Sequence, residues 1–113
     1  MPETELISIQ DFGKIDLRVA QILSAEPHPN ADRLLVLKID LGPELGARQL
    51  VAGIRAHYDP ATLVGRKVIV IANLQPAVLR GVESQGMLLA AGTDTQVVFL
   101  TPEKDIPVGS KVR

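Results

Sequence analysis

The chain has 113 residues, 46% of them apolar, and a formal net charge of -1, enough for one compact domain and too little charge for a global field that would hold a polyanion. It contains no cysteine, which excludes a disulfide scaffold, a thiolate metal site and cysteine catalysis, and fits a reducing compartment. No apolar run approaches the roughly 20 residues that cross a bilayer, and the N-terminus lacks a basic region followed by an apolar block, so the expectation is a cytoplasmic protein with no membrane partner.

In chain order, Ser8 and Asp11 are spaced as an N-cap and its partner and predict one short helical turn through Phe12. Ile15 to Val19 alternates apolar and charged residues, and the apolar phase then slips to Ile22, which predicts a long first strand bent by a bulge. Pro27 to Asp32 is turn material throughout. Beyond it Leu35, Leu37, Ile39 and Leu41 share one face of a second strand, while Val36, Lys38 and Asp40 take the other. A turn from Gly42 to Gly46 leads into a third strand, Arg48 to Gly53, paired with the second as a hairpin.

Asp59, Pro60 and Gly65 stand where a cap, a first helical residue and a terminator would, so one or two helical turns are expected there. Lys67 to Asn73 is apolar nearly throughout and predicts the central strand, covered on both faces. Leu74 to Gly81 reads as a loop around Pro76, Ser84 to Ala91 (SQGMLLAA) as a bulged entry and a strand, and Gln96 to Leu100 as the last principal strand. The tail carries Pro107 and Gly109 and has little strand or helix regularity of its own. The pattern predicts an all-β fold, a five-stranded oligonucleotide/oligosaccharide-binding (OB) barrel with short helices and a C-terminal extension. A single domain is expected over 1–113, with a core of about 11–100 and an extension over 101–113.

His28 and His57 lie in separate loops with no partner at metal-ligand spacing, so they read as solvated loop residues and neither a metal nor a cofactor is expected. Ser84 lacks a nucleophile-elbow context and Glu83 alone makes no triad, so no catalytic residue is assigned and the expectation is a binding module, not an enzyme. The basic residues are more informative. Lys14 and Arg18 flank strand one, Arg33 and Lys38 strand two, Arg48 and Arg55 strand three, and Arg80 closes the loop after Asn73, so several can converge on one barrel face. A chain that is 22% charged decorates the solvent side of its strands in the same way, so composition leaves a binding face and an ordinary surface equally open. With aromatic residues at 3%, the usual stacking platform for nucleic acid is nearly missing, and recognition would rest on shape, phosphates and the contacts of Gln85 and Met87. Within SQGM, Gly86 permits a close backbone approach and Met87 fills a gap.

The segments DFGKIDLRVAQILSAEPHPNADRLLVLKIDLG, VAGI at Val51 to Ile54, VGRKVIVIANLQP and LRGVESQGMLLAA together closely resemble the tRNA-binding OB domain. That domain occurs as the C-terminal appendage of bacterial methionyl-tRNA synthetases, as stand-alone structure-specific tRNA-binding proteins and in eukaryotic synthetase-associated cytokine precursors. The resemblance runs from about Asp11 to Val112. It implies a barrel that binds the outer corner of folded tRNA through shape and backbone, with little sequence preference, usually as a homodimer and without catalytic residues. Matched motif by motif, it implies a tRNA-binding surface of Asn73, Arg80, Ser84 and Met87, with Gln85 beside them. Strand phase adds Lys14, Arg18, Arg33 and Lys38 as phosphate contacts.

Where many members carry basic residues after the ANL-x-P motif, this chain reads Pro76-Ala77-Val78-Leu79-Arg80, which implies two phosphate contacts fewer and a lower affinity. A neighbouring branch is a bacterial homodimeric chaperone linked to protein export, whose ending resembles VVFLTPEKDIPVGSKV. VAGI and SQGM match the tRNA-binding branch better, and tRNA binding is the reading taken. The start at Met1 and the ending Lys111-Val112-Arg113 favour a complete small protein, free-standing or working with an aminoacyl-tRNA synthetase, over an excised fragment. In a third reading the tail, Thr101 to Val112, docks a second subunit or a synthetase.

Overall fold

The computed structural model describes residues 5–113. One helical turn, α1 (Ile9–Gly13), is capped by Ser8, whose hydroxyl accepts the Asp11 N–H at 3.0 Å as the spacing predicts. The strands follow in order: β1 (Leu17–Pro27), β2 (Leu35–Asp40), β3 (Ala47–Ala52), β4 (Lys67–Ile71), β5 (Ala77–Leu79), β6 (Val82–Ser84), β7 (Met87–Leu88), β8 (Ala90–Gly92), β9 (Val97–Phe99) and β10 (Lys111–Val112). A single 3-10 turn, Pro60–Thr62, capped by Asp59, sits between β3 and β4. The main sheet runs β3-β2-β1-β4-β7, all antiparallel, and curls into an OB-like barrel.

The middle of this sheet is β1, not the Lys67 to Asn73 segment expected there. At 11 residues β1 is long enough to pair β4 along Leu17 to Gln21 and β2 along Gln21 to Pro27. The register slips between Ile22 and Ser24, leaving Leu23 unpaired and 48% exposed, which is the bulge that the apolar phase predicts. The expected coverage of β4 on both faces holds, since Val68, Ile69 and Val70 are all buried.

Alternation along β2 sends Leu35, Leu37 and Ile39 inward, where with Ile22, Leu41, Leu50, Leu63, Val68 and Val70 they fill the core. Each such side chain contributes roughly 1.5–3 kcal/mol by leaving water. Tyr58 stacks on Phe99 with ring centroids 5.0 Å apart, and Arg66 lies over the same ring at 4.7 Å. Phe99 is buried and Tyr58 packs against the core, so these rings supply no platform for a nucleobase.

Two other expectations change. The segment after Pro76, read as a loop, forms β5, which pairs with β6 as a hairpin (Ala77 with Ser84, Leu79 with Val82) around the two-residue turn Arg80-Gly81. The tail, read as irregular, ends in β10 and continues the line of β2 along the start of β1, with Leu17 opposite Val112 and Arg18 opposite Lys111. It is pinned further by Lys67, whose ammonium bonds Asp105 at 2.7 Å and whose carbonyl accepts the Thr101 hydroxyl at 2.8 Å. The extension therefore belongs to its own barrel.

Candidate nucleic-acid interface

SQGM is the seam of the barrel. Past Ser84 the chain leaves β6, and a side-chain lacing replaces a regular ladder to β3. The Ser84 hydroxyl accepts the Val51 N–H at 3.0 Å and donates to the Gly86 carbonyl at 3.1 Å. Gln85 and Gln49 bond reciprocally: the Gln49 N–H donates to the Gln85 side-chain carbonyl at 3.0 Å, and the Gln85 N–H donates to the Gln49 carbonyl at 2.8 Å. Gly86 has φ +143°, and a Cβ there would stand 2.8 Å from the Ile71 carbonyl oxygen and 3.2 Å from the Leu50 side chain. Only glycine fits.

The second structural unit is the β5–β6 hairpin. Ala77, Val78, Leu79 and Arg80 are all exposed, and Arg80 itself adopts φ +52° beside Gly81 at +87°. Such a pair of positive φ values makes the tight turn whose twist suits a hairpin. Across from it, the loop between β1 and β2 joins two other basic segments: the Arg55 guanidinium donates to the Ala31 carbonyl at 3.3 Å and the Arg55 N–H to the Arg33 carbonyl at 3.4 Å. The same loop bonds the hairpin through His28 and Leu79 at 2.8 Å. The segments that carry Arg33, Arg55 and Arg80 thus meet at the β1–β2 loop, at one end of a barrel whose net charge is -1. On the flank of the sheet, Lys38, Ala47, Arg48, Gln49 and Gln85 line a shallow polar depression of about 190 Å³. A larger depression, about 350 Å³, lies between Gln21, Lys67 and the tail, where Asp105 neutralises Lys67.

The nine residues singled out from the sequence divide accordingly. Arg80, Arg33, Lys38 and Met87 are exposed, with Lys38 bonded to the Gln49 side chain. Lys14 is exposed and paired with Asp11 at 3.2 Å. Asn73 ties α1 to β1, accepting the Asp16 N–H at 2.8 Å and donating to the Lys14 carbonyl at 2.6 Å.

Arg18 departs from its expected place on the ligand face. Its side chain is only 15% exposed, pairs with Asp16 at 2.6 Å and Glu44 at 3.4 Å, and donates to the Gly109 carbonyl at 3.2 Å. The Asp16 hydrogen bond, with partial desolvation opposing it, raises the guanidinium further above its ordinary pKa. It clamps β1, the β2–β3 turn and the tail. Ser84 departs as well: at 4% exposure its hydroxyl is spent inside the seam and does not reach the surface. Gln85 is half-buried and laces the same seam.

His28 is 3% exposed, not the solvated loop residue expected, whereas His57 is exposed. Gln49 and Arg55 belong to the polar flank and basic end but stand outside the nine. Their signal was position: Gln49 lies within the third strand and Arg55 just past its end.

A small barrel with a laced seam, a projecting hairpin and a basic end defines an OB-type binding module. Residues 17–111 match the family model described as "Putative tRNA binding domain", and the chain belongs to that family. It is 57% identical over 108 residues to a methionine–tRNA ligase of Methanococcus aeolicus, a match that covers 96% of this chain and 16% of that protein. The chain spans about a sixth of the length of the curated relatives it matches. Among solved structures, a MetRS-related protein from Pyrococcus horikoshii superposes with TM-score 0.89 at 34% identity, covering 97% of this chain and 100% of that one. The chaperone CsaA from Bacillus anthracis superposes with TM-score 0.87 at 31% identity, covering 96% and 100%.

Proposed function

We propose that this domain binds folded tRNA at the basic end of the barrel, by shape and phosphate contact, without chemistry of its own, and serves a methionine–tRNA ligase in the cytoplasm, either within one chain or as a separate subunit. The observation that carries the reading is the family match over residues 17–111. The geometry supports a division of labour. Arg33, Arg55 and Arg80 would contact phosphates at the end of the barrel, Lys38 and Lys14 along its flank, and Met87 and Gln85 would meet a base edge or ribose. Asn73, Arg18 and Ser84 would act indirectly, by holding these segments in place.

A homodimer is part of the proposal. Leu6, Ile7 and Ile9, at 92%, 66% and 74% exposure, are left uncovered among the described residues, which supports burial against a second copy. Sedimentation with Ile7→Ser and Ile9→Ser against the unaltered protein tests it; an unchanged sedimentation coefficient removes that face from the interface.

The binding test is retardation of bulk tRNA in low salt, with affinity falling as salt rises because bound cations leave the phosphates. Failure to retard tRNA in low salt overturns the proposal. The likeness to CsaA and the exposed Val78, Leu79 and Leu74 favour a second reading, capture of unfolded polypeptide. Suppression of aggregation of a denatured client, undiminished by excess tRNA, would favour it over the first.

A further inference from the structure

We propose that His28 is the positioning residue of the Arg80 hairpin: its ring ties the free strand β5 to the β1–β2 loop and so fixes where the Arg80 guanidinium meets a phosphate. The proposal rests on the tRNA-binding reading above. His28 is buried although Pro29 and Asn30 beside it are exposed. Its Nδ1 lies 2.9 Å from the Asn30 backbone nitrogen, which can only donate, so Nδ1 is the acceptor. The ring proton then sits on Nε2, which donates to the Leu79 carbonyl at 2.8 Å. The tautomer follows from the partners.

Leu79 is the last residue of β5 and immediately precedes Arg80. A two-stranded hairpin alone is marginal in water, and this one exposes all of β5. Its partner strand β6 is held to the barrel by Ser84 and by the Gln49 side-chain amide, which donates to the Glu83 carbonyl at 2.8 Å. Among the described residues, β5 makes one hydrogen bond outside the hairpin, and His28 makes it. Without it β5 can swing about β6, and a phosphate must then order the hairpin as it binds, which weakens binding without removing a contact.

Two substitutions separate this role from a purely local one. In His28→Asn the shorter side chain can still accept the N–H two residues on, as asparagine does in turns, but cannot reach Leu79. In His28→Gln the amide nitrogen can reach the Leu79 carbonyl while the bond to Asn30 is lost. We expect His28→Asn to weaken tRNA binding about fivefold, the worth of one net hydrogen bond, and His28→Gln to restore most of it. Amide hydrogen exchange should quicken across residues 77–84 in His28→Asn and stay unchanged in β1, β2 and β4.

The reverse order, with His28→Asn binding as the parent does and His28→Gln impaired, would overturn the proposal. If the parent protein does not bind tRNA, the functional reading fails on its own, and exchange across residues 77–84 still decides the tether: no acceleration in His28→Asn refutes it. A long-range nitrogen–proton spectrum of the unaltered protein should report the Nε2–H tautomer, and an Nδ1–H ring would also refute it.

Discussion

Ser84 and Arg80 stand four residues apart on one hairpin and are built in opposite ways. Ser84 has no surface to offer and satisfies two backbone groups inside the barrel, whereas Arg80 is exposed in a left-handed conformation that disfavours its own side chain. The seam is shaped by folding: Ser84 and Gln85 are bonded to β3, and even a methyl group has no room at Gly86. The hairpin tip spends stability to present a charge. A motif that reads as one binding signature in sequence is therefore half closure and half surface, and substitutions should sort the two.

The largest effect is expected at Gly86. Gly86→Ala forces a side chain into positive φ and against a backbone oxygen that cannot retreat, and should cost on the order of 3–5 kcal/mol by urea denaturation. Ser84→Ala should come next. It leaves the Val51 N–H without a partner in the interior, for a loss of about 1–3 kcal/mol, and any loss of tRNA binding should track the unfolded fraction. Binding lost at full stability would return Ser84 to the surface and break the distinction.

Arg80→Asn inverts the pattern. Asparagine tolerates the left-handed turn, so stability should rise by about 0.5 kcal/mol while the dependence of log affinity on log salt loses about one unit of slope. The smallest effect concerns the tail. Lys67 holds the Asp105 carboxyl below its ordinary pKa, so the folded protein binds that proton less readily than the unfolded chain does. The stabilisation is complete above the ordinary carboxylate range and fades as pH falls through the lowered value. Melting curves from pH 6 to 3 should therefore show a slight extra decline that Asp105→Asn removes.

Much of the barrel was legible because local chemistry agrees with the fold. Ser8 with Asp11 announced the first turn, alternation set β2, and the slip from Val19 to Ile22 announced the bulge. The hairpin at Arg80 stayed hidden because its turn uses arginine where asparagine or glycine is usual, and β5 has only three residues. Arg18 misled for another reason: its strand phase is right for solvent, but Glu44 and Gly109 arrive from a turn and a tail to cover it. His28 depends on a partner 51 residues away. Its place between Pro27 and Pro29 was the one local hint that its backbone is held.

The two-residue ladder between β1 and β10 has a mechanical consequence. Val112 lies opposite Leu17, so a pull applied to the chain before Leu17 and after Val112 loads the ladder from one end, one bond at a time. Strands loaded in that way peel at low force, whereas strands loaded along their length must shear several bonds together. Tension transmitted through neighbouring segments of a larger assembly would part Val112 from Leu17 first and Lys111 from Arg18 next. The laced seam and the core strands would stay intact behind it.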